Sequence, residues 1–442
     1  MAEPILSWGR ANRYQHDLYA LPKLGAAPGP VFAADKMTIF RGMGRSYGDV
    51  ALNADGGLCQ TCQVDNVLSF DRGRGVIRAH SGLTVSALNS LTVPNGWIVP
   101  VSPGTQYVTL GGAVANDVHG KNHHCVGSFG AHVTALKLRR SSGEALVCNR
   151  QRHSDLFKAT ISGLGLTGYI EWVEIQLMPI RSANVFVENI RFPNLDGFFD
   201  LNAQSRDWPY TVAWVDCFSG RSNLGSGIFS RARFIEDGDL RMAATSPVLS
   251  LSVSLPNCLL NKVSISLFNK LYKWRPGATS SGVQKFQRFF YPLDRIRGWN
   301  KLYGRAGFYQ HQSIIPDHCA AEGVLALLVA IKKRGWGSFL AVLKAHGAET
   351  SPGLNTFSMA GVSLALDFPN RGDETTRFLR QLDEIVVEHG GRMYPAKDAA
   401  MSAETFQAGY PNWRQLESLR DPKVTSSFWR RVSQSPGVAD AQ

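Results

Sequence analysis

Two glycine-rich stretches hold the residues best suited to chemistry. The first is Arg41-Gly-Met-Gly-Arg-Ser-Tyr-Gly-Asp49, downstream of the apolar run 37–40. Closely spaced glycines let backbone N–H groups approach phosphate oxygens, and Arg41, Arg45 and Ser46 add charge and a hydroxyl. Gly42, Met43, Gly44, Tyr47, Gly48 and Asp49 complete this candidate anion cradle, with a tight turn of unrelated charges as the alternative. The second stretch runs from Gly104 through Thr109, Leu110, Gly111 and Gly112 to His119-Gly-Lys-Asn-His-His124 and Gly130. Six glycines in these 27 residues, without apolar periodicity, read as a loop that wraps a ligand. His119, His123 and His124 do not read as a metal site, because adjacent histidines point apart and neither H-E-x-x-H nor an acidic cluster is nearby.

Other motifs exclude chemistries. Cys59 and Cys62 form a C-x-x-C without a second pair or a surrounding βαβ pattern, so they read as semi-buried thiols. Gly163-Leu-Gly-Leu-Thr-Gly168 matches G-x-G-x-x-G, but a helix precedes it and a strand comes after it, the reverse of a dinucleotide fingerprint. No G-x-S-x-G elbow supports a hydrolase.

These loops need elements to hold them. The first 180 residues show short apolar runs, an alternating strand at 169–177 and helical signals at 83–91 and 154–161, which predicts an α+β ligand-binding domain. From 306 onward the order is strand 307–315, helix 320–334, strands 338–345 and 361–368, helix 373–389 and a strand from Arg392. That β-α-β-β-α-β order is the split ferredoxin-like unit. Val324, Leu327, Leu328 and Ile331 form one helical stripe, and Phe378, Leu382, Ile385 and Val386 another. Strand alternation leaves Lys344, Ser363, Gln310 and Gln312 on the face away from the helices, which either meets water or roofs a site. The expected division is 1–180, 181–391 and 392–442.

The chain has 442 residues, 19% charged, with a net charge of +12 and seven cysteines. Its length gives room for two or three domains, and the odd cysteine count argues against a disulfide framework. The start carries no apolar secretory region, so a cytoplasmic protein is expected. The basic surplus suits an anionic partner or is simply a solvated surface; no basic block or nucleic-acid motif favours nucleic acid. The segment 246–268 is long enough to span a bilayer but is broken by Pro256, Asn257, Asn261 and Lys262. It reads as a mobile apolar loop able to cover or receive a lipid tail, or as a buried strand pair.

The loops at 41–49 and 103–130, with the segment 163–170, resemble FAD-linked oxidases of the vanillyl-alcohol-oxidase class. The run His119–His124, Tyr291-Pro-Leu-Asp294 and the ending 390–411 are similar to the branch acting on polyprenyl-phosphoryl pentoses. The likeness covers the chain from Trp8 to about residue 430. It implies a two-part FAD-binding domain and a ferredoxin-like mixed-sheet substrate domain. It further implies extended FAD, its diphosphate held by 41–49 and 104–112, with contacts from Asn116, His119, Ile170 and Tyr394. No histidine stands in the first glycine loop, where many relatives attach flavin covalently, so a dissociable FAD is expected.

The resemblance also implies that the segment from Arg392 returns to the flavin domain with Lys397. Lys397 and His119 are then the catalytic candidates, a lysine of lowered pKa serving as base or steadying an alkoxide. Lys121, Gln310, Gln312 and Lys344 would bond the sugar or its phosphate, with Ser363 on the same face, while Trp214 and Tyr291 would pack against it. The implied reaction is oxidation of a ribose C2 hydroxyl on a lipid-linked sugar phosphate. It is the first half of an epimerisation to arabinose that a separate short-chain reductase completes, with peripheral membrane contact. The alternatives are a soluble sugar, alditol or aldonolactone oxidase and a flavin-loaded binding protein. Two departures stand out: mycobacterial members carry cysteine where this chain has Ala365, and 21–37 is shorter and less helical than in relatives.

Overall fold

The computed structural model describes residues 3–21, 28–220, 223–243, 247, 249–256, 261–275 and 277–434. Near the N-terminus β1 (Asp17–Ala20), β2 (Thr38–Arg41) and β3 (Gly57–Gln60) form a parallel sheet in the order β1-β3-β2. Of the segment 21–37, residues 22–27 lie outside the described residues; its remainder includes one helical turn, Gly29–Phe32. Cys59 and Cys62 are free thiols.

A second sheet contains β4 (Val67–Asp71), β5 (Val76–His80), β6 (Val133–Arg139), β7 (Ala145–Cys148) and β8 (Tyr169–Gln176). Its order is β7-β6-β8-β5-β4, with all neighbours antiparallel. Helices α1 (Val85–Thr92) and α2 (Leu110–Ala115) are each capped by a threonine, Thr84 and Thr109, whose hydroxyl accepts a first-turn N–H. Helix α3 (Ser154–Thr160) precedes 163–168 and β8 comes after it, which rules out a strand–turn–helix dinucleotide loop there.

The largest sheet has eight strands: β9 (Asn184–Phe192), β10 (Tyr210–Val215), β11 (Gly227–Phe234), β12 (Ser280–Lys285), β13 (Phe308–Pro316), β14 (Ala341–His346), β15 (Gly361–Pro369) and β16 (Arg392–Met393). Its order is β12-β9-β11-β10-β14-β15-β13-β16. Helix α4 (Lys262–Trp274) lies between β11 and β12, while α5 (Ala320–Arg334) and α6 (Asp373–Glu388) cover one face of the C-terminal strands. Leu343, Leu364, Leu366 and Phe368 pack there against Val324, Leu328, Phe378 and Leu382, all buried. Ile385 is only partly buried at the edge of that stripe. The other face carries Gln310, Gln312, Val342 and Lys344.

Two segments differ from the sequence expectation. The strand expected from Ser338 begins at Ala341, because Ser338 Oγ is committed to the backbone: it donates to Leu340 O and accepts from the N–H groups of Leu340 and Asp367. Within 246–268, residues 246, 248 and 257–260 lie outside the described residues. The rest is neither a plain loop nor a buried strand pair: Leu249–Ser250 pairs with Ile296–Arg297, and α4 starts at Asn261, whose side chain and that of Ser264 close a capping box. No helix among the described residues is long and apolar enough to cross a membrane.

After β16 the chain returns to the N-terminal sheets. Tyr47 N–H donates to Ala396 O, Thr38 N–H to Lys423 O and Ser427 N–H to Leu52 O. Arg431 binds Asp49 at 2.8 Å and Asp398 at 3.0 Å and donates to Met401 O.

Candidate active site

A cavity of about 1600 Å³ lies between the loops of the N-terminal sheets and the bare face of the eight-stranded sheet. Ligand pockets commonly measure about 300–1,000 Å³, so this one has room for a large ligand and a second molecule. At one end it is walled by Gly42, Met43, Gly44, Arg45, Ser46 and Tyr47 from the first glycine loop, and by Gly104, Thr109, Gly111, Gly112 and Asn116 from the second. The loops touch closely: a Cβ on Gly42 would collide with Thr109 Oγ1, and one on Gly111 would stand 2.8 Å from Ser81 Cβ. Gly44 has φ +61°, the left-handed turn that lets the first loop double back beneath the Arg41 guanidinium.

The backbone N–H groups of Met43, Gly44, Arg45 and Ser46 have no acceptor among the described residues. Four consecutive unpaired amides beside a cavity form an anion-binding concavity. Arg45 lies over the Trp8 ring at 4.1 Å, its buried Nε also without a partner among them. The second loop contributes differently. Its amides at Leu110, Gly111 and Ala113 bond Leu83 O, Ser81 O and Thr109 O, while those of Gly104, Thr105, Val108 and Thr109 have no acceptor among the described residues, so it supplies close approach and further free donors.

Six expected site residues stand outside the lining. The Arg41 guanidinium turns back to Leu6 O and Ala51 O, where it braces the loop. Gly48 packs on the Asp398 backbone and Asp49 on Arg431, so both fasten the C-terminal segment. Leu110 is fully buried in the core. Tyr291 is buried too, its hydroxyl 2.6 Å from Ser102 Oγ and 3.5 Å from Asn89 Nδ2. Ser363 is buried beside β14 with its hydroxyl 2.9 Å from His346 Nε2.

The middle of the cavity brings together His119, Lys121, Lys344, Lys397, Gln310, Gln312 and Tyr394, with Ile170 behind. His119 Nδ1 lies 2.9 Å from Lys344 Nζ, and Nε2 lies 2.9 Å from the Gln312 amide. Burial, reinforced by the Lys344 charge, holds His119 well below its ordinary range, so it is neutral. A neutral imidazole accepts at one nitrogen only. When Lys344 is protonated and donates to Nδ1, Nε2 carries the proton and the Gln312 amide presents its oxygen. A neutral Lys344 amine can accept as well as donate, so the opposite tautomer, with Nδ1 protonated and the Gln312 amide NH2 donating to Nε2, then also becomes allowed.

Lys397 arrives on the C-terminal segment, fixed by the Tyr394 hydroxyl donating to Asn116 O and by Ala396 O accepting from Tyr47 N–H. Its Nζ sits 3.7 Å from the centre of the Tyr47 ring. Burial pulls Lys397 down to about 7 against the opposing charge of Asp367. Burial with the charges of Lys121 and Lys397 brings Lys344 to about 7, and burial lowers Lys121 to about 8 against Asp294. Three half-buried lysines lining one cavity favour an anionic ligand.

Two carboxylates here were not singled out from the sequence. Asp367 lies on the same alternating face as Ser363 and Ala365 and accepts from Gln310 Nε2 at 2.6 Å and from the Tyr303 hydroxyl at 3.0 Å. Burial raises it to about 7. Asp294, within the quoted 291–294 motif, accepts from Gln106 N–H at 2.8 Å, faces Arg45 and is raised by burial.

Beyond the lysines the cavity turns apolar. Trp214 donates from Nε1 to Phe339 O, and Tyr272 of α4 packs on its ring with centroids 4.8 Å apart. Phe268, Leu251 and Phe339 continue this end. The arrangement suits one ligand with a diphosphate at the amide end and a second with a polar reacting group at the lysines and an apolar tail beyond them.

Comparison with known proteins agrees with that reading. An FAD binding domain family matches residues 33–149. Decaprenylphosphoryl-beta-D-ribose oxidase of Mycolicibacterium smegmatis is 35% identical over 87% of this chain and 86% of its own. An uncharacterized protein in the mprA 5′ region of Streptomyces coelicolor is 31% identical over 79% of this chain and its full length. L-gulonolactone oxidase of Mus musculus is 27% identical over 31% of each chain.

Proposed function

The chain belongs to the FAD-linked oxidases, in the family of decaprenylphosphoryl-β-D-ribose oxidase, and from that premise we propose that it oxidises the C2 hydroxyl of a polyprenyl-phosphoryl ribose to the 2-keto sugar. A short-chain reductase then completes epimerisation to arabinose. The observation that carries this reading is one continuous cavity in which free backbone amides, a set of half-buried lysines and an apolar tail channel succeed one another. The C-terminal β-α-β-β-α-β strands, ordered β14-β15-β13-β16, act as a ferredoxin-like roof whose first three strands in the chain belong to a substrate domain of residues 181–391 and whose last, β16, opens the C-terminal segment.

The described residues fit FAD. The amides of Met43–Ser46 and Arg45 Nε are orphaned donors for a diphosphate, and Gly42, Gly111 and Gly112 keep the wall thin. Asn116, Ile170 and Tyr394 line the same cavity and would hold the ring. Among the described lining residues the one histidine is His119, engaged at both nitrogens, and no cysteine is present, which supports non-covalent binding. Acid precipitation should therefore release all the FAD into the supernatant. Gly42→Ala, which drives a methyl into Thr109, should weaken FAD binding about tenfold or more by titration of the apoprotein.

FAD, when bound, supplies a two-electron acceptor for the carbinol C–H. Lys397 Nζ takes the hydroxyl proton, its lowered pKa leaving free base near neutrality. Lys344 and Lys121 hold the phosphate charge, Gln310 and Gln312 orient the sugar hydroxyls, and Trp214 excludes water on the tail side. His119 positions Lys344 and Gln312.

The test is anaerobic bleaching of the bound flavin by prenyl-phosphoryl ribose beside free ribose and an aldonolactone. Bleaching by the lipid-linked sugar alone is expected; equal bleaching by free sugar would return the assignment to a soluble sugar oxidase.

A further inference from the structure

We propose that the outer face of α4 docks this protein on an anionic lipid bilayer, with the apolar end of the cavity turned toward the membrane. Helix α4 is inside out for a helix on a water-facing surface. Its inner side buries Ile265 and Asn269, the latter donating to Asp216 Oδ1 at 2.9 Å, with Tyr272 half-buried next to them. Val263, Leu267, Leu271 and Trp274 point outward, between 57 and 77% exposed. At 3.6 residues per turn these four fall within an arc of about 80°. Phe268 is also exposed, and the neighbouring stretch adds Leu249 and Val253. A contiguous apolar stripe of this kind marks an interaction surface.

The charge pattern identifies the partner. Between Leu240 and Pro316 the sequence has eleven Lys and Arg residues and one acid, Asp294. That acid is turned into the cavity toward Gln106 and Arg45. Two of these cations, Arg241 and Lys285, are answered by Asp239, but helix α4 itself carries Lys262, Lys270 and Lys273 and no acid, and Lys270 shares its outer face. Two copies of this chain joined through α4 would set one basic helix against the other with no carboxylate on either to answer it. Anionic headgroups would neutralise this charge while Leu267, Leu271 and Trp274 enter the acyl boundary, as amphipathic interfacial helices do.

Position adds a third argument. Phe268, Tyr272 and Arg275 line the cavity, whereas Leu267, Leu271 and Trp274, one residue away in each case, face outward. A prenyl tail could pass from bilayer to cavity along α4 without crossing water; this last point rests on the lipid-linked substrate proposed above, while the docking face does not.

The experiment is flotation of the FAD-loaded full chain with vesicles of phosphatidylcholine alone or mixed with phosphatidylglycerol. The protein should float with the mixed vesicles only and be released by high salt. Leu267→Glu/Leu271→Glu, and a milder Leu267→Ser/Leu271→Ser pair, should each weaken flotation at least tenfold with FAD content and elution volume unchanged. Failure of the wild type to float, or full flotation of both pairs, overturns the proposal. So does a wild-type dimer that either pair dissociates, since the face then belongs to a second copy. Turnover of detergent-dispersed prenyl-phosphoryl ribose, read separately, tests the substrate assignment, so the two failures are distinguishable.

Discussion

Replacing Lys397 by methionine should leave a yellow, folded protein whose flavin is bleached by substrate about 10²–10⁴-fold more slowly, the range expected on losing a positioned general base. Methionine keeps most of the stem's length and removes the amine that lies over Tyr47. The sign of the pH dependence comes from burial. Lys397 is drawn down to about 7 in the folded protein, so protons leave it as pH rises through that value and the base becomes available. The wild-type bleaching rate should therefore climb with pH through about 7 and then level. Stopped-flow bleaching across that interval checks both points, and the methionine variant should show a flattened profile. An unchanged rate in Lys397→Met would remove the base assignment while leaving the cofactor assignment intact.

The second large effect lies away from the reacting atoms. Arg431→Met should destabilise the protein by about 3–5 kcal/mol, because breaking a buried ion pair strands its partner charges. Burial works against the Arg431 charge, but Asp49 and Asp398 hold the guanidinium above its usual range, and both carboxylates lie close beside it. Without Arg431 these two face each other unneutralised. Urea unfolding read by tryptophan fluorescence measures the loss, and Asp49→Asn in the same chain should restore part of it. A change below about 0.5 kcal/mol, the size of an ordinary surface substitution, would show that the C-terminal segment is held by its backbone bonds alone.

The helices α5 and α6 were legible because their apolar residues recur at 3.6-residue spacing and nothing local competes. The glycine loops were legible as ligand-wrapping chain, but the division of labour within them was not. Whether Arg41 faces a ligand or braces its own loop depends on Leu6 and Ala51, which no local pattern ties to it. Tyr291 misled for a similar reason: its hydroxyl has partners in Ser102 and Asn89, both distant in the chain. Helix α4 was hidden by its composition. Alternating serines with Val263, Ile265 and Leu267 imitate a strand, and the outward apolar stripe reverses the usual rule, although Asn261 and Ser264 already formed a helix-start signature. The face carrying Lys344, Gln310 and Gln312 was open to two readings, water or a roof; only the sheet order, which places β14 beside β10 and opposite the glycine loops, decides for the roof.

The return of residues 392–434 to the first sheet makes the candidate reaction centre depend on segments far apart in the chain. The amide cradle, the histidine and two of the lysines are synthesised before residue 350, yet Lys397 is fastened by Ala396 to Tyr47 and farther on by Arg431 to Asp49. Those closures join residues more than three hundred positions apart, the slowest kind of contact to form, so the candidate site is assembled only after the segment 392–434 has been made. A translation product ended at the close of α6 would carry the glycine loops but neither β16 nor Lys397, and it would lose Phe406, Tyr410, Phe428 and Trp429 from the core as well as the proposed base.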